Sequence, residues 1–214
     1  FYKELKRRVD AYFAETGKSP RDAWQMYLKT AVILTWFFAS YVILVFFCQT
    51  WWQGILGSMS LGLSMAAIGF NIQHDGGHRS YSRFNWVNRL MAMTIDLLGG
   101  SSYVWDVKHN SIHHTYANIT GHDDDIDVGP LARLSPHQKR LPFHRLQHYY
   151  MWPLYGLIAI KWQLFDDFYN VAVGKIGNHK LPRPKGWNLV GFIGGKIVFL
   201  SMAFLIPLLA GHWW

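Results

Sequence analysis

The most prominent pattern in the chain is a long stretch without charge. Between residues 30 and 73 there is no Asp, Glu, Lys or Arg. One continuous helix of that length, at ~1.5 Å per residue, would be about twice as long as the ~30 Å hydrocarbon core of a bilayer. The segment CQTWWQG, residues 48–54, supplies polar and interfacial Trp residues for a bend. The pattern therefore predicts a transmembrane hairpin over 31–72, with spans near 31–50 and 54–72.

Polar and apolar blocks alternate through the rest of the chain. Residues 73–148 are mixed and rich in histidine, and they predict a cytoplasmic region. Segment 149–165 is apolar but short, which predicts an interfacial or re-entrant helix. A third span is predicted over 188–211, interrupted only by Lys196, which we expect to snorkel toward the near surface. The fold class is thus all-α: an integral membrane helical bundle with a cytoplasmic helical cap, in a single domain over 1–214.

Composition and charge support a membrane protein. Half of the residues are hydrophobic, 17% are aromatic and only 16% are charged, with a formal net charge of +8. Basic residues flank the predicted hairpin on both sides, which places both flanks in the cytoplasm. No nucleic-acid-binding signature accompanies the positive charge, so the lipid bilayer is the expected partner and nucleic acid is not.

Histidine is the residue type that points to chemistry. Nine of the eleven histidines lie between residues 73 and 148. His74 and His78 are four apart, and His109 and His113 repeat that spacing, which puts each pair on one face of an α-helix. His114 is rotated by one further residue, so we expect it to face a second metal ion.

The choice of metal follows from the residues that accompany the histidines. Cys48 is the single cysteine, so disulfides and cysteine-rich zinc or iron–sulfur sites are excluded. A zinc protease pattern would need Glu after the first histidine, where this chain has Asp75. Haem would leave most of the histidines unused, and soluble di-iron bundles use Glu-x-x-His repeats that are absent here. A histidine-rich iron centre at the cytoplasmic rim of a membrane bundle remains.

Two motifs carry a family resemblance. HDGGH (74–78) and HNSIHH (109–114) resemble the first two histidine boxes of the membrane fatty acid desaturase superfamily. KHNSIHHTYANITGHDDDID (108–127) and RLSPHQKRLPFHRLQHYY (133–150) are similar to the bacterial linoleoyl-CoA, or front-end, subgroup. The family's third box is missing, so we expect a fragment truncated at the C-terminus and inactive alone.

The resemblance implies a fold, a reaction and a cofactor. It implies an oxygen-dependent desaturase that introduces a cis double bond into an acyl-CoA or acyl-lipid, with two non-haem iron ions and dioxygen as co-substrate. Electrons would come from an external donor, a ferredoxin or a b-type cytochrome with its reductase. The implied catalytic residues and metal ligands are His74, His78, His109, His113 and His114.

Other polar residues have two interpretations each. The residues that could support the metal ligands from behind are Asp75, Asp123, Asp124, Asp125, His144 and His148. For the acidic group the alternative is a solvated charged face, and for the two histidines it is polar packing in a helix of the cap. Three basic residues are candidates for contacts with a lipid or CoA headgroup: Arg79, Arg83 and Lys108.

Two competing functions remain open from the sequence. A membrane di-iron hydroxylase or monooxygenase acting on fatty acids or alkanes would carry the same boxes and insert oxygen instead of removing hydrogen. A non-enzymatic metal-binding membrane protein is a more distant alternative, because such a protein would place ionisable residues inside the spans, where only Lys196 occurs.

Overall fold

The structure is a computed structural model that describes residues 1–211. The chain divides into two compact units, Phe1–Ala92 and Met93–Trp214. Both units are helical, and within the described residues the only strands form one two-residue hairpin. The all-α prediction is confirmed at this level.

The first unit contains four helices. They are α1 (Tyr2–Thr16), α2 (Trp24–Phe46), α3 (Trp51–Gly77) and α4 (Asn85–Ala92). Helix α3 includes a π-helical segment, Gly69–Gln73, just before the first histidine. In this segment the backbone hydrogen bonds run from residue i to i+5.

In its described part, up to residue 211, the second unit contains four more helices and the strand pair. The helices are α5 (Thr94–Leu97), α6 (102–116), α7 (147–173) and α8 (Trp187–Leu209). The strands are β1 (Lys175–Ile176) and β2 (His179–Lys180). The strands are antiparallel, with Ile176 opposite His179. Three short 3₁₀ turns lie between α6 and α7: Asp124–Ile126, Gly129–Leu131 and Pro142–Leu146. Three π-helical segments occur in α6, α7 and α8: Asp106–His113, Trp162–Asp166 and Ser201–Leu205.

Within residues 1–211, three helices are long and apolar enough to cross a membrane. They are α2, α3 and α8. Most of their large apolar side chains are exposed in the folded chain, as expected for surfaces that face lipid. The three spans that the hydrophobic pattern predicts are therefore present as helices, and the protein is a membrane protein.

The turn between α2 and α3 is shorter and earlier than the predicted bend. Helix α2 ends at Phe46, and α3 begins at Trp51. Gln53 explains the early start of α3, because its Oε1 accepts the backbone N–H of Thr50 at 3.1 Å and thereby caps the helix. Farther along, the Nε1–H of Trp36 donates to Ser60 Oγ at 2.9 Å and joins the two helices.

The expectation that Lys196 snorkels to the surface is wrong. Its side chain is 5% exposed, and its Nζ donates to Asp167 Oδ2 at 2.8 Å. It also donates to the carbonyl oxygens of Gly99 at 2.5 Å and Gln163 at 3.1 Å. Helix α8 thus contributes a buried cation whose partners come from α7 and from the turn after α5.

Candidate metal centre

The first histidine pair lies at the end of α3. The Nε2 atoms of His74 and His78 are 3.2 Å apart, so that one ring donates a hydrogen bond to the other. The two ring centroids are separated by 4.4 Å. Two imidazole nitrogens bound to the same metal ion lie roughly 3 Å apart, because each metal–nitrogen bond is about 2.1 Å long. The pair therefore already has the separation of two ligands of one ion.

Gly76 explains how the helix presents this pair. A Cβ atom at Gly76 would lie 2.6 Å from the backbone nitrogen of Ala92 and 2.6 Å from Met91 Cβ. It would also lie 2.8 Å from the carbonyl oxygen of Asn88. Helix α4 therefore packs directly on the backbone of α3 beside the histidines, a contact that only glycine allows.

The second histidine group lies on a π-helical segment. This geometry changes the direction in which the ring of His114 is expected to point. A π-helix places nearly one more residue in each turn than an α-helix, since its hydrogen bonds span five residues. The backbone N–H of His114 bonds to the carbonyl oxygen of His109 in this way. As a result, the ring centroid of His114 lies 4.9 Å from that of His109, as close as His113 at 5.2 Å. All three rings form one cluster.

Asp123 fixes the orientation of His113. Its carboxylate oxygens lie 3.0 and 3.1 Å from His113 Nδ1, and the residue is 1% exposed. The backbone N–H groups of Asn118 and Asp125 donate to the same carboxylate at 2.8 and 3.0 Å. Burial raises the pKa of Asp123, but these three hydrogen bonds outweigh burial and hold the pKa below its ordinary value. With Nδ1–H directed at a carboxylate, Nε2 is the nitrogen with which His113 could bind a metal ion.

The neighbouring carboxylates are paired with a lysine. Lys108 Nζ lies 2.9 Å from Asp124 and 3.3 Å from Asp125. Burial lowers the pKa of Lys108, but the two carboxylates outweigh it and raise the pKa above its ordinary value. Lys108 is thus engaged within the cluster, which does not agree with its expected contact with a headgroup.

Asp125 lies on the Nδ1 side of two of the histidines. Its Oδ2 lies 3.7 Å from His109 Nδ1 and 3.5 Å from His113 Nδ1. Ligand atoms of these three residues all lie within 4.8 Å of one another. Trp105 stacks on His109 with ring centroids 4.6 Å apart.

The other candidate residues make contacts of their own. The carboxylate of Asp75 is 3.7 Å from Lys29 Nζ. His144 uses both ring nitrogens in backbone contacts: Nδ1 accepts the N–H of Leu141, and Nε2 donates to the carbonyl oxygen of Pro130 at 2.8 Å. His148 lies against Tyr149. These contacts agree with the packing interpretation of His144 and give Asp75 a charge partner of its own.

The donor atoms of each unit fit a metal such as iron. Imidazole nitrogens with a nearby carboxylate are the ligand set of many non-haem iron sites. The spacing of the His74–His78 pair and the contact of Asp123 with His113 are both compatible with binding of an ion. The sequence alone does not indicate that Lys108 pairs with Asp124 and Asp125, although Lys108 directly precedes His109.

Comparisons with known proteins agree with the histidine motifs. A family model described as fatty acid desaturase matches residues 49–214. The sn-1 linoleoyl-lipid 6-desaturases of Arthrospira platensis and a Synechocystis species are each 39% identical to the chain over 99% of its length. An acyl-lipid (8-3)-desaturase of Physcomitrium patens is 33% identical, also over 99% of the chain.

The chain spans only part of these relatives. It covers 58% and 59% of the first two proteins and 44% of the third. No solved structure shows a significant match to the chain.

Proposed function

Because this chain belongs to the fatty acid desaturase family, we propose that it carries part of the active site of an oxygen-dependent membrane lipid desaturase. The enzyme would introduce a cis double bond into an acyl chain held in a membrane lipid. The observation that supports this most directly is the second histidine cluster, in which His109, His113 and Asp125 bring their ligand atoms within 4.8 Å. The names of the similar proteins, which act on acyl-lipids, favour a lipid substrate over an acyl-CoA.

The proposed ligands of two non-haem iron ions are the five histidines of the two boxes. They are His74, His78, His109, His113 and His114. When bound, the iron pair would supply, with dioxygen, the oxidant that removes hydrogen from unactivated methylene groups. The proposal that both boxes bind the same pair of iron ions rests on the family resemblance. The geometry within each unit is compatible with this proposal.

The residues around the histidines have proposed roles of their own. Asp123 would keep the Nδ1–H of His113 engaged, so that the ring cannot rotate and Nε2 stays available as a ligand. Lys108 would balance the negative charge of Asp124 and Asp125 beside the cationic site. Asp125 would act as an acceptor behind His109, on the Nδ1 side of its ring.

We place the histidine groups at the cytoplasmic boundary of the membrane. The basic residues that flank α2 and α3 support this orientation through the positive-inside tendency. An acyl chain that lies in the bilayer could then reach the site from the hydrocarbon side. Electrons would come from an external donor, a ferredoxin or a b-type cytochrome with its reductase, as the family resemblance implies.

Product analysis tests the proposal. The complete protein would be expressed with its electron donor in a host that lacks polyunsaturated lipids, with linoleoyl lipid supplied, and lipid acyl chains would be identified by mass spectrometry. We expect a new double bond with the wild type and its loss, together with loss of bound iron, in His113→Ala. The matched control, His137→Ala, changes an exposed histidine outside both groups and should keep product and iron.

Two outcomes would contradict the proposal. Unchanged product in His113→Ala would show that the second group is not part of the active site. A hydroxylated acyl chain in place of a new double bond would identify the enzyme as a hydroxylase of the same architecture.

A further inference from the structure

The second unit contains a cavity that the proposed iron centre does not use. Its volume is about 500 Å³, and it lies between the loop after α6 and the start of α7. The residues that line it are Arg133, Arg140, His144, Gln147, His148 and Met151. Most of these side chains are cationic or polar, while Met151 contributes a buried apolar wall.

Hydrogen bonds to the backbone hold two walls of the cavity in place. Gln147 Oε1 accepts the backbone N–H of Arg133 at 2.7 Å, and Gln147 Nε2 donates to the carbonyl oxygen of Arg133 at 3.1 Å. His144 bridges Leu141 and Pro130 with its two ring nitrogens. The cavity is therefore formed before any ligand arrives, which lowers the entropic cost of binding.

The positive charge at the cavity is not compensated by carboxylates. The guanidinium group of Arg133 donates to the carbonyl oxygens of Pro136 at 2.5 Å and Gln138 at 2.9 Å, which fix its position and leave its charge in place. Arg140 has neither a hydrogen bond nor an ion pair within residues 1–211. The sequence contains no Asp or Glu between Asp127 and Asp166. Such a site attracts an anion, and guanidinium groups suit phosphate in particular.

The surroundings of the cavity indicate which class of phosphate-containing molecule would suit it. Helix α7 continues from the cavity with exposed aromatic side chains, among them Tyr149 at 70% and Trp152 at 76%. Leu157 and Ile160 extend this apolar surface along the helix. Aromatic side chains next to arginines are typical of the boundary between headgroups and hydrocarbon.

We propose that this cavity binds the phosphate of an anionic glycerophospholipid, whose acyl chains lie along the exposed face of α7. Arg133 and Arg140 would bind the phosphate oxygens, and the ring of His148 would provide a further donor. This interaction does not depend on desaturation, because the bound lipid can serve as a fixed component of the protein instead of a substrate. The proposed interaction also gives a role to Arg133 and Arg140, which lie between the second histidine box and α7.

Lipid titration of the complete purified protein in neutral detergent tests this proposal. The probe is dihexanoyl phosphatidylglycerol, and binding is followed by calorimetry. Dihexanoyl phosphatidylcholine and inorganic phosphate are titrated in parallel. We expect the anionic lipid to bind at least tenfold more tightly than either, because the zwitterionic headgroup lacks net charge and inorganic phosphate lacks the apolar part.

A matched pair of variants assigns the site. Arg140→Gln should weaken binding of phosphatidylglycerol about tenfold, the effect of losing one charge-assisted hydrogen-bonding group. Arg145→Gln removes the same charge from the same segment outside the cavity lining and should change affinity less than about twofold, as expected for a screened exposed charge. Arg140→Lys, which keeps the charge and loses the planar fork, should fall between the wild type and Arg140→Gln.

Several results would overturn the proposal. Equal weakening by Arg140→Gln and Arg145→Gln would indicate attraction by general surface charge. Equal affinity for phosphatidylcholine, or for inorganic phosphate, would exclude an anionic lipid as the specific ligand. Thermal unfolding curves of all variants show whether they are folded, and the product assay is independent, so a failure here is distinguishable from a failure of the proposed desaturase activity.

Discussion

In the first unit, His74 and His78 lie where two helices touch backbone to backbone, whereas in the second unit His113 is oriented by a buried carboxylate. The first arrangement depends on the absence of a side chain at Gly76, which lets α4 pack on the backbone of α3 beside the histidine pair. The second depends on Asp123 and on the hydrogen bonds that this carboxylate accepts.

The difference extends beyond the histidines. In the second unit, buried charge also joins α8 to α7 through Lys196 and Asp167. Asp96 lies nearby, 5% exposed, with Oδ1 accepting the N–H of Ser102 at 3.2 Å. Packing of neutral groups is insensitive to pH, but buried charges respond strongly to protonation and to loss of a partner. The two units should therefore respond differently to the same kind of perturbation.

The largest effect is expected from breaking the buried ion pair. Lys196→Met leaves Asp167 buried without its cation, and this typically costs about 3–5 kcal/mol of stability. The double variant with Asp167→Asn should recover part of the loss. Thermal unfolding in detergent measures both.

A surface ion pair serves as the control for that experiment. Lys161 and Asp166 form a pair in which the lysine side chain is 66% exposed. Lys161→Met should cost less than about 1 kcal/mol. Equal losses in the two lysine variants would show that burial of Lys196 contributes nothing to stability.

The second effect concerns pH and Asp96. Burial raises the pKa of this carboxyl to about 6, so between pH ~4 and ~6 the folded protein binds more protons than the unfolded chain. Stability should therefore fall as pH rises through this range, by up to about 3 kcal/mol for a shift of this size. Asp96→Asn, measured by unfolding at pH 4.5 and 7, should remove most of the difference, and an unchanged pH dependence would contradict this assignment.

The third effect tests the close packing of the first unit. Gly76→Ala places a methyl group 2.6 Å from the backbone of α4 and should destabilise the protein by about 1–3 kcal/mol, with loss of the histidine pair's geometry. Gly69→Ala is the matched control, since a Cβ there meets nothing within 4 Å. It should leave stability unchanged or raise it by up to about 1 kcal/mol. Similar losses in both variants would show that the close contact of Gly76 with α4 is not the cause.

The smallest effect concerns metal affinity in the second unit. Asp123→Asn keeps the shape of the side chain but removes the charge that holds His113, and should weaken iron binding about 10- to 100-fold. Asp127→Asn changes an exposed carboxylate in the same loop and should keep the wild-type affinity. Competition with a chelator on the complete protein measures both. Equal affinities would mean that Asp123 only caps its turn.

The sequence indicates the three long apolar helices and the grouping of histidines within each box, because hydrophobic spans and four-residue spacings are local patterns. It predicts the acidic patch as support for the ligands but does not separate Asp123 from Asp124 and Asp125. Their different roles depend on the turn that buries one side chain and directs the others to Lys108.

Lys196 shows where local patterns are insufficient. Its partner Asp167 is 29 residues away on another helix. A basic loop lies between them in the sequence, so no local pattern indicates that the two residues pair. A charged residue in an apolar span permits either a snorkelling side chain or a buried pair, and only the packing of α7 against α8 decides between them.

The π-helical segment Asp106–His113 has a consequence for how this protein tolerates insertions and deletions. Its wider turn accommodates one residue more than an α-helix would, and this brings His113 and His114 to the same side as His109. Deletion of one residue such as Ser111 would keep every imidazole in the chain, yet it would tighten the turn and change which rings meet. The length of this segment is therefore as much a part of the site as its composition.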